Sequence, residues 1–111
     1  MDRQISSMFS LSKKAGKLLT GDFASISALR AGEAKLIILA DDASGNTKKK
    51  FINKAHFYKT PVYIYSCIAD LSHATGVVNR AVFVVTDSGF AENIQKRLTN
   101  SNITEAGEWQ K

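Results

Sequence analysis

Three short apolar runs, each set between segments of helical periodicity, restrict the fold of this chain more than any other feature. Residues 35–40 (Lys-Leu-Ile-Ile-Leu-Ala), 62–65 (Val-Tyr-Ile-Tyr) and 81–85 (Ala-Val-Phe-Val-Val) are built from leucine, aromatic and β-branched residues. They show no polar alternation, so neither side of them is patterned for water, and they read as strands buried on both faces. The segments between them are helical. Residues 3–15 place Ile5, Met8, Phe9 and Leu11 on roughly one helical face, with Gly16 as the stop. Leu18–Thr20 is a short extended piece. Asp22 stands where it would cap a helix with the pattern Phe23, Ile26, Ala28, Leu29 and an end at Gly32. Ser44 or Asn46 opens the next helix, with Phe51, Ile52, Ala55 and Tyr58 inward, and Pro61 forbids its continuation. Ser66–Thr75 reads as a short helix closed by Gly76, and Asp87 caps a last helix on which Phe90, Ile94 and Leu98 recur every fourth residue. Strands alternating with helices imply an α/β protein, an α/β/α sandwich around a small sheet.

A chain of 111 residues has room for one such domain. We expect it to occupy residues 1–99, with 100–111 a flexible, polar tail carrying the lone Trp109. Docking of Trp109 on the body is the alternative.

The net charge of +5 is unevenly placed. Residues 1–60 hold eleven Lys and Arg against five Asp and Glu; residues 61–111 hold four against five. A basic half beside a near-neutral half suggests a face for a polyanion, although an excess of lysine also serves solubility. Cys67 is the only cysteine, which rules out an internal disulfide and a thiolate metal cluster. The longest apolar run, Leu36–Ala40, is far too short to span a bilayer, and the N-terminus has no apolar core of a signal peptide. These features lead us to expect a cytoplasmic protein.

Catalytic readings fare poorly. Asp41 and Asp42 follow a buried strand, where open α/β sheets place reactive groups, and adjacent carboxylates there can hold Mg²⁺. Phosphoryl chemistry also requires a positioned lysine, a hydroxyl and a further acid. Thr86-Asp87 is a candidate for the last two, but Asp87 is more simply a cap. His56 and His73 lie on separate helices without metal-ligand spacing, and Cys67 has no histidine near it in sequence. We therefore expect no enzyme, no cofactor and no metal. Binding features are stronger. Thr20-Gly21-Asp22 opens a helix, and first-turn N–H groups attract phosphate. Lys13, Lys14 and Lys17 precede it closely, and the Asp22 carboxylate is suited either to base amino groups or to capping. Lys48-Lys49-Lys50 opens another helix beside its positive dipole end, a cost that a bound anion would offset.

A series of blocks carries a family resemblance. They are Leu11-Ser12-Lys13-Lys14-Ala15-Gly16-Lys17; Thr20-Gly21; Leu29-Arg30-Ala31-Gly32 running on to Asp41-Asp42-Ala43-Ser44; Asn46-Thr47-Lys48-Lys49-Lys50; Pro61-Val62; and Val85-Thr86-Asp87-Ser88-Gly89-Phe90-Ala91. In this order, over residues 5 to about 98, the chain resembles the ribosomal protein L7Ae family, in its bacterial branch. The resemblance implies a three-layer α/β/α sandwich with a small mixed sheet. It also implies binding of kink-turns, sharply bent RNA duplexes with tandem sheared G·A pairs and one flipped-out nucleotide. In that family the start of the second helix enters the G·A region, and Gly21 matches the glycine before it. Phe23, Ala24 and Ser27 stand where archaeal members carry Asn, Glu and Lys. Ser66-Cys67-Ile68-Ala69 matches the loop against the flipped nucleotide. Leu71-Ser72-His73-Ala74-Thr75-Gly76 matches a family motif that has glycine at Ser72, and Arg80 falls one residue from a family arginine. The expected RNA face therefore holds Thr20, Gly21, Asp22, Phe23, Ser27, Ile68 and Ala69, with Lys13, Lys14, Lys17, Arg30 and Arg80 on phosphates. The partner is structured RNA, on the ribosome or near it, and the protein is expected to be a monomer. A protein-interaction module that kept the fold is the rival, motivated by the apolar Phe23.

Overall fold

The computed structural model describes residues 1–107. The elements run α1 (Arg3–Lys14), β1 (Leu18–Thr20), α2 (Asp22–Arg30), β2 (Leu36–Leu39), α3 (Gly45–Phe57), β3 (Val62–Ile64), α4 (Ile68–Thr75), β4 (Val82–Val85) and α5 (Ser88–Asn100). The four strands form one sheet in the order β1-β4-β2-β3. β4 is antiparallel to both neighbours, while β2 and β3 are parallel. The sheet is thus small and mixed, as expected.

Alternate strand residues feed two cores. Leu36, Ile38, Phe83 and Val85 pack with Ile5 and Phe9 of α1, Leu71 of α4, and Ile94 and Leu98 of α5. Ile37, Leu39, Val82 and Val84 pack with Ala28 and Leu29 of α2 and Phe51, Ile52 and Ala55 of α3. Both sides of the sheet are covered, which is why β2 and β4 are apolar at every position. The three layers are α1/α4/α5, the sheet, and α2/α3.

Local signals set most helix ends. The Ser44 side chain accepts from Thr47 N–H at the start of α3, and Asp87 Oδ2 accepts from Phe90 N–H at the start of α5. Gly76 ends α4 at φ 73, a left-handed conformation that glycine adopts without strain. Some expectations fail. Asp22 is not a cap: Gly21 occupies that position and no side chain caps α2. Helix α4 begins at Ile68, not Ser66, because Ser66 is left-handed (φ 60). Leu11 and Tyr58 are exposed. In α1 the buried position of that last turn is Ser12, whose hydroxyl donates to Phe9 O.

The tail expectation also changes. Val62 and Ile64 turn their backbone groups away from β2, toward the open edge of the sheet. Residues 101–107 fold back over this edge: Ile103 packs on the first core, Ala106 packs on the second, and Ala106 N–H donates to Val62 O at 2.7 Å. The His56 ring Nε2 lies 3.2 Å from Ala106 O. An unpaired edge strand is a template for unwanted pairing, and the short return segment covers it through Ile103 and Ala106. Trp109 lies outside the described residues.

Candidate nucleic-acid interface

The sheet topology decides which loops meet. β1, β2 and β3 all run in one direction and β4 runs against them. The ends of β1, β2 and β3 therefore lie beside the start of β4. At this end begin α2, α3 and α4, and here the segment 76–81 enters the sheet. Hydrogen bonds knit the loops together. Gly21 N–H donates to Val82 O, Ala40 N–H to Ala81 O, and Asp41 N–H to Ser66 O.

Gly21 adopts φ 89, ψ 166, which a side chain would strain. A β-carbon built on it would sit 3.5 Å from Arg80 Nη1, so the guanidinium lies directly over the glycine. Arg80 is itself anchored. Its backbone N–H donates to Ser72 Oγ at 3.0 Å, and Ser72 Oγ–H donates to Arg80 O at 3.3 Å. The serine that replaces a glycine of the family motif thus fixes the arginine loop. Asp42 Oδ1 accepts from Ile68 N–H at 2.8 Å and so caps α4 from another loop. That bond engages the carboxylate that a Mg²⁺ reading would need.

The lysine triplet belongs here as well. Lys48 Nζ donates to Asp41 O, while Lys50 Nζ pairs with Asp22 Oδ2 at 3.3 Å. Both partners are well exposed, so this pair contributes little stability; it does turn the Asp22 carboxylate toward α3. Phe23 is 75 % exposed. Ser27, one turn further along α2, faces water on the same side. Beside α4 opens a groove of about 560 Å³ lined by Ile68, Ala69, His73, Val78 and Asn79 among others. Three helix N-termini point toward this end, and uncapped N–H groups in the first turn of α2 remain available to an acceptor.

The structure thus gathers Thr20, Gly21, Asp22, Phe23, Ser27, Ile68, Ala69 and Arg80. It does not bring Lys13, Lys14, Lys17 and Arg30 to them. Lys17 precedes β1, and its carbonyl accepts from Thr86 N–H at the far end of the sheet. Lys13 and Lys14 end α1 and Arg30 ends α2, all at that far end. Proximity in sequence misled here, because a strand lies between Lys17 and Gly21. Sequence reasoning noted Lys48–Lys50 but left them out of the face; their position at a helix start was the signal. It missed the role of Ser72, which depends on a loop eight residues away.

The comparisons agree with this architecture. A family model described as Ribosomal protein L7Ae/L30e/S12e/Gadd45 family matches residues 3–95. An "RNA-binding protein YlxQ" of Enterococcus faecium is 36% identical over 91 residues, 82% of this chain and 87% of that protein. One of the same name from Bacillus subtilis (strain 168) is 37% identical over 87 residues, 78% of this chain and 87% of its own. A solved structure from Bacillus halodurans C, described as a protein with unknown function, superposes with a TM-score of 0.85 at 32% identity. It covers 88% of this chain and 99% of its own. The curated relatives are named for binding and not for catalysis, in agreement with the expectation of a non-enzymatic protein. On sequence and fold together, the chain belongs to the ribosomal protein L7Ae/L30e/S12e/Gadd45 family.

Proposed function

We propose that this protein binds structured RNA at the end of the sheet where α2, α3 and α4 begin, and that its target is a kink-turn. The observation that carries the reading is Arg80 packed over Gly21 beside the uncapped start of α2, with the groove at Ile68 and Ala69 next to it. The geometry suits a bent duplex. A regular A-form helix hides its base edges, whereas a kink opens them and extrudes a nucleotide. In this reading Arg80 and the first-turn N–H groups of α2 hold phosphates, which position the RNA without reading its sequence. Thr20, Gly21, Phe23 and Ser27 face the internal loop, and Ile68 and Ala69 meet the unstacked base. Asp22 acts by orienting Lys50 or, once released from it, by accepting from a base amino group. The protein works as a cytoplasmic monomer on ribosomal or other structured RNA. No metal or cofactor takes part.

The test is a titration of a kink-turn RNA against the same duplex with its G·A pairs made Watson–Crick. A preference of tenfold or more, about 1.4 kcal/mol, is expected, and Arg80→Ala should weaken it. Equal affinity for the two duplexes would overturn the kink-turn reading. A second reading, a protein-docking face, is favoured by one observation: Phe23 and Val78 are 75 % and 85 % exposed. It takes precedence if neither RNA binds.

A further inference from the structure

The cations that the fold keeps away from Arg80 are themselves gathered. The far end of the sheet, where β1, β2 and β3 start, carries Lys13, Lys14, Lys17, Lys35 and Lys59, all exposed. Lys17 leads into β1, Lys35 into β2 and Lys59 toward β3, so the row spans the sheet. With strands about 4.8 Å apart, the row is roughly 14 Å long. No described carboxylate lies within ion-pair distance of any of them; the ion pair among the described residues is Lys50–Asp22, at the other end. The carboxylates beside the row are Glu33, Asp87 and Glu105, and Asp87 is engaged in capping α5. Five positive charges thus face three negative ones.

Helix electrostatics explain only part of this. Lys13 and Lys14 lie in the last turn of α1, where cations oppose the negative dipole end. Lys35 follows the end of α2 and its Nζ donates to Gly32 O at 3.4 Å, whereas Lys17 terminates no helix. Lys59 occupies a left-handed position (φ 57) after α3 that glycine would fill with less strain. At the same place the chain exposes an aromatic pair. Phe57 is 78 % exposed, and its ring meets that of Tyr58 edge-on, with centroids 4.9 Å apart. Cations interleaved with solvent-facing aromatic rings are the composition that single-stranded nucleic acid uses, phosphates on the cations and bases on the rings.

We propose that this far end is a second RNA-binding surface, for a single-stranded segment lying along Lys14, Lys17, Lys35 and Lys59 with bases stacked on Phe57 and Tyr58. The protein would then hold a folded RNA element at one end of its sheet and an unpaired strand at the other. The surface stands independently of the kink-turn reading, since no residue is shared. Arg30 also ends at this side, but it lies along the same face of α2 as Phe23 and Ser27, so it stays unaltered in the test.

The experiment is fluorescence anisotropy on the full chain with a labelled oligouridine and, separately, the kink-turn duplex. The variants are Lys14→Gln/Lys17→Gln/Lys35→Gln, Phe57→Ala and, as the opposite control, Arg80→Ala. All the altered side chains are exposed, and a thermal melt verifies folding. The triple variant is expected to weaken oligouridine binding tenfold or more and to flatten its salt dependence. Phe57→Ala should weaken it several-fold, and neither should change kink-turn affinity by more than twofold. Arg80→Ala should do the reverse. Oligouridine affinity unchanged in both far-end variants would overturn the proposal. So would an equal loss in Arg80→Ala, which would mean one shared site, or capture by phosphatidylserine vesicles without oligouridine binding. Failure of the kink-turn reading would appear elsewhere, as equal binding of the wild type to the kinked and Watson–Crick duplexes.

Discussion

Ser72 shows how a single hydroxyl can set a binding surface. It donates to and accepts from the backbone of Arg80, fixing the peptide from which the guanidinium reaches Gly21. Arg80 is exposed, so without the serine its peptide can turn to water. Ser72→Ala should therefore cost only about 1 kcal/mol of stability, the net worth of a typical hydrogen bond or two. Its larger effect should be on RNA affinity, which falls as the arginine loses its anchor; thermal melts and RNA titrations of the same variant separate the two. Ser25 is the converse case. Its hydroxyl is fully buried and has no partner among the described residues, in the first turns of α2. An unsatisfied buried hydroxyl is destabilising, and alanine is the better helix former. Ser25→Ala should raise stability by about 1 kcal/mol, which for a domain of this size is roughly 4 °C in Tm. A lower Tm would show that the hydroxyl has a partner, such as a buried water.

Among the elements, the return segment after α5 departs most from what its polarity suggests. Ile103 and Ala106 bury apolar surface on either side of the β3 edge, and one hydrogen bond pairs that edge. A chain ended after Asn102 should lose about 2 kcal/mol, from partial burial of an isoleucine and one backbone hydrogen bond. A lower midpoint in urea unfolding checks this. The uncovered edge should also self-associate, visible as a shift to larger species in size-exclusion chromatography. The strands and helices were largely legible before the structure, because their signals are local: a continuous apolar run, a cap, a glycine stop. Asp22 was misread because a carboxylate beside a helix start has two uses, and Lys50 on another helix claims it. The return segment was missed because a polar sequence with one isoleucine carries no local mark of the edge it covers.

For the whole molecule, closure depends on a few contacts between distant parts. Tyr65, at the end of β3, accepts from Asp2 N–H at 3.0 Å and so ties the chain start to the far strand. Burial, aided by the nearby Asp2 charge, raises the Tyr65 pKa above the usual 10, while the hydrogen bond from the Asp2 backbone opposes it. The folded state thus holds this phenolic proton more tightly than the unfolded one. Its contribution is fully present below pH 10 and is lost as pH rises from there through the raised value. In Tyr65→Phe, stability should decline less between neutral and alkaline pH than in the wild type, as urea midpoints on either side of pH 10 would show. An identical decline in both proteins would show that Tyr65 takes no part in the loss of stability at alkaline pH.

By itself the sequence determined the elements, the layered class and the buried strand residues of β2 and β4, since each follows from neighbours within a turn or two of chain. It also held the residues of the candidate face, but not their grouping. Lys17 and Gly21 are four positions apart, yet the extended chain of β1 sets them about 13 Å apart, at opposite ends of the sheet. Gly21 and Arg80 are 59 positions apart in the sequence, yet the guanidinium packs on the glycine. Only the tertiary structure decided which ends meet. Strand order and direction are fixed by burying both faces of the sheet at once, a condition that belongs to the whole chain and to no segment of it.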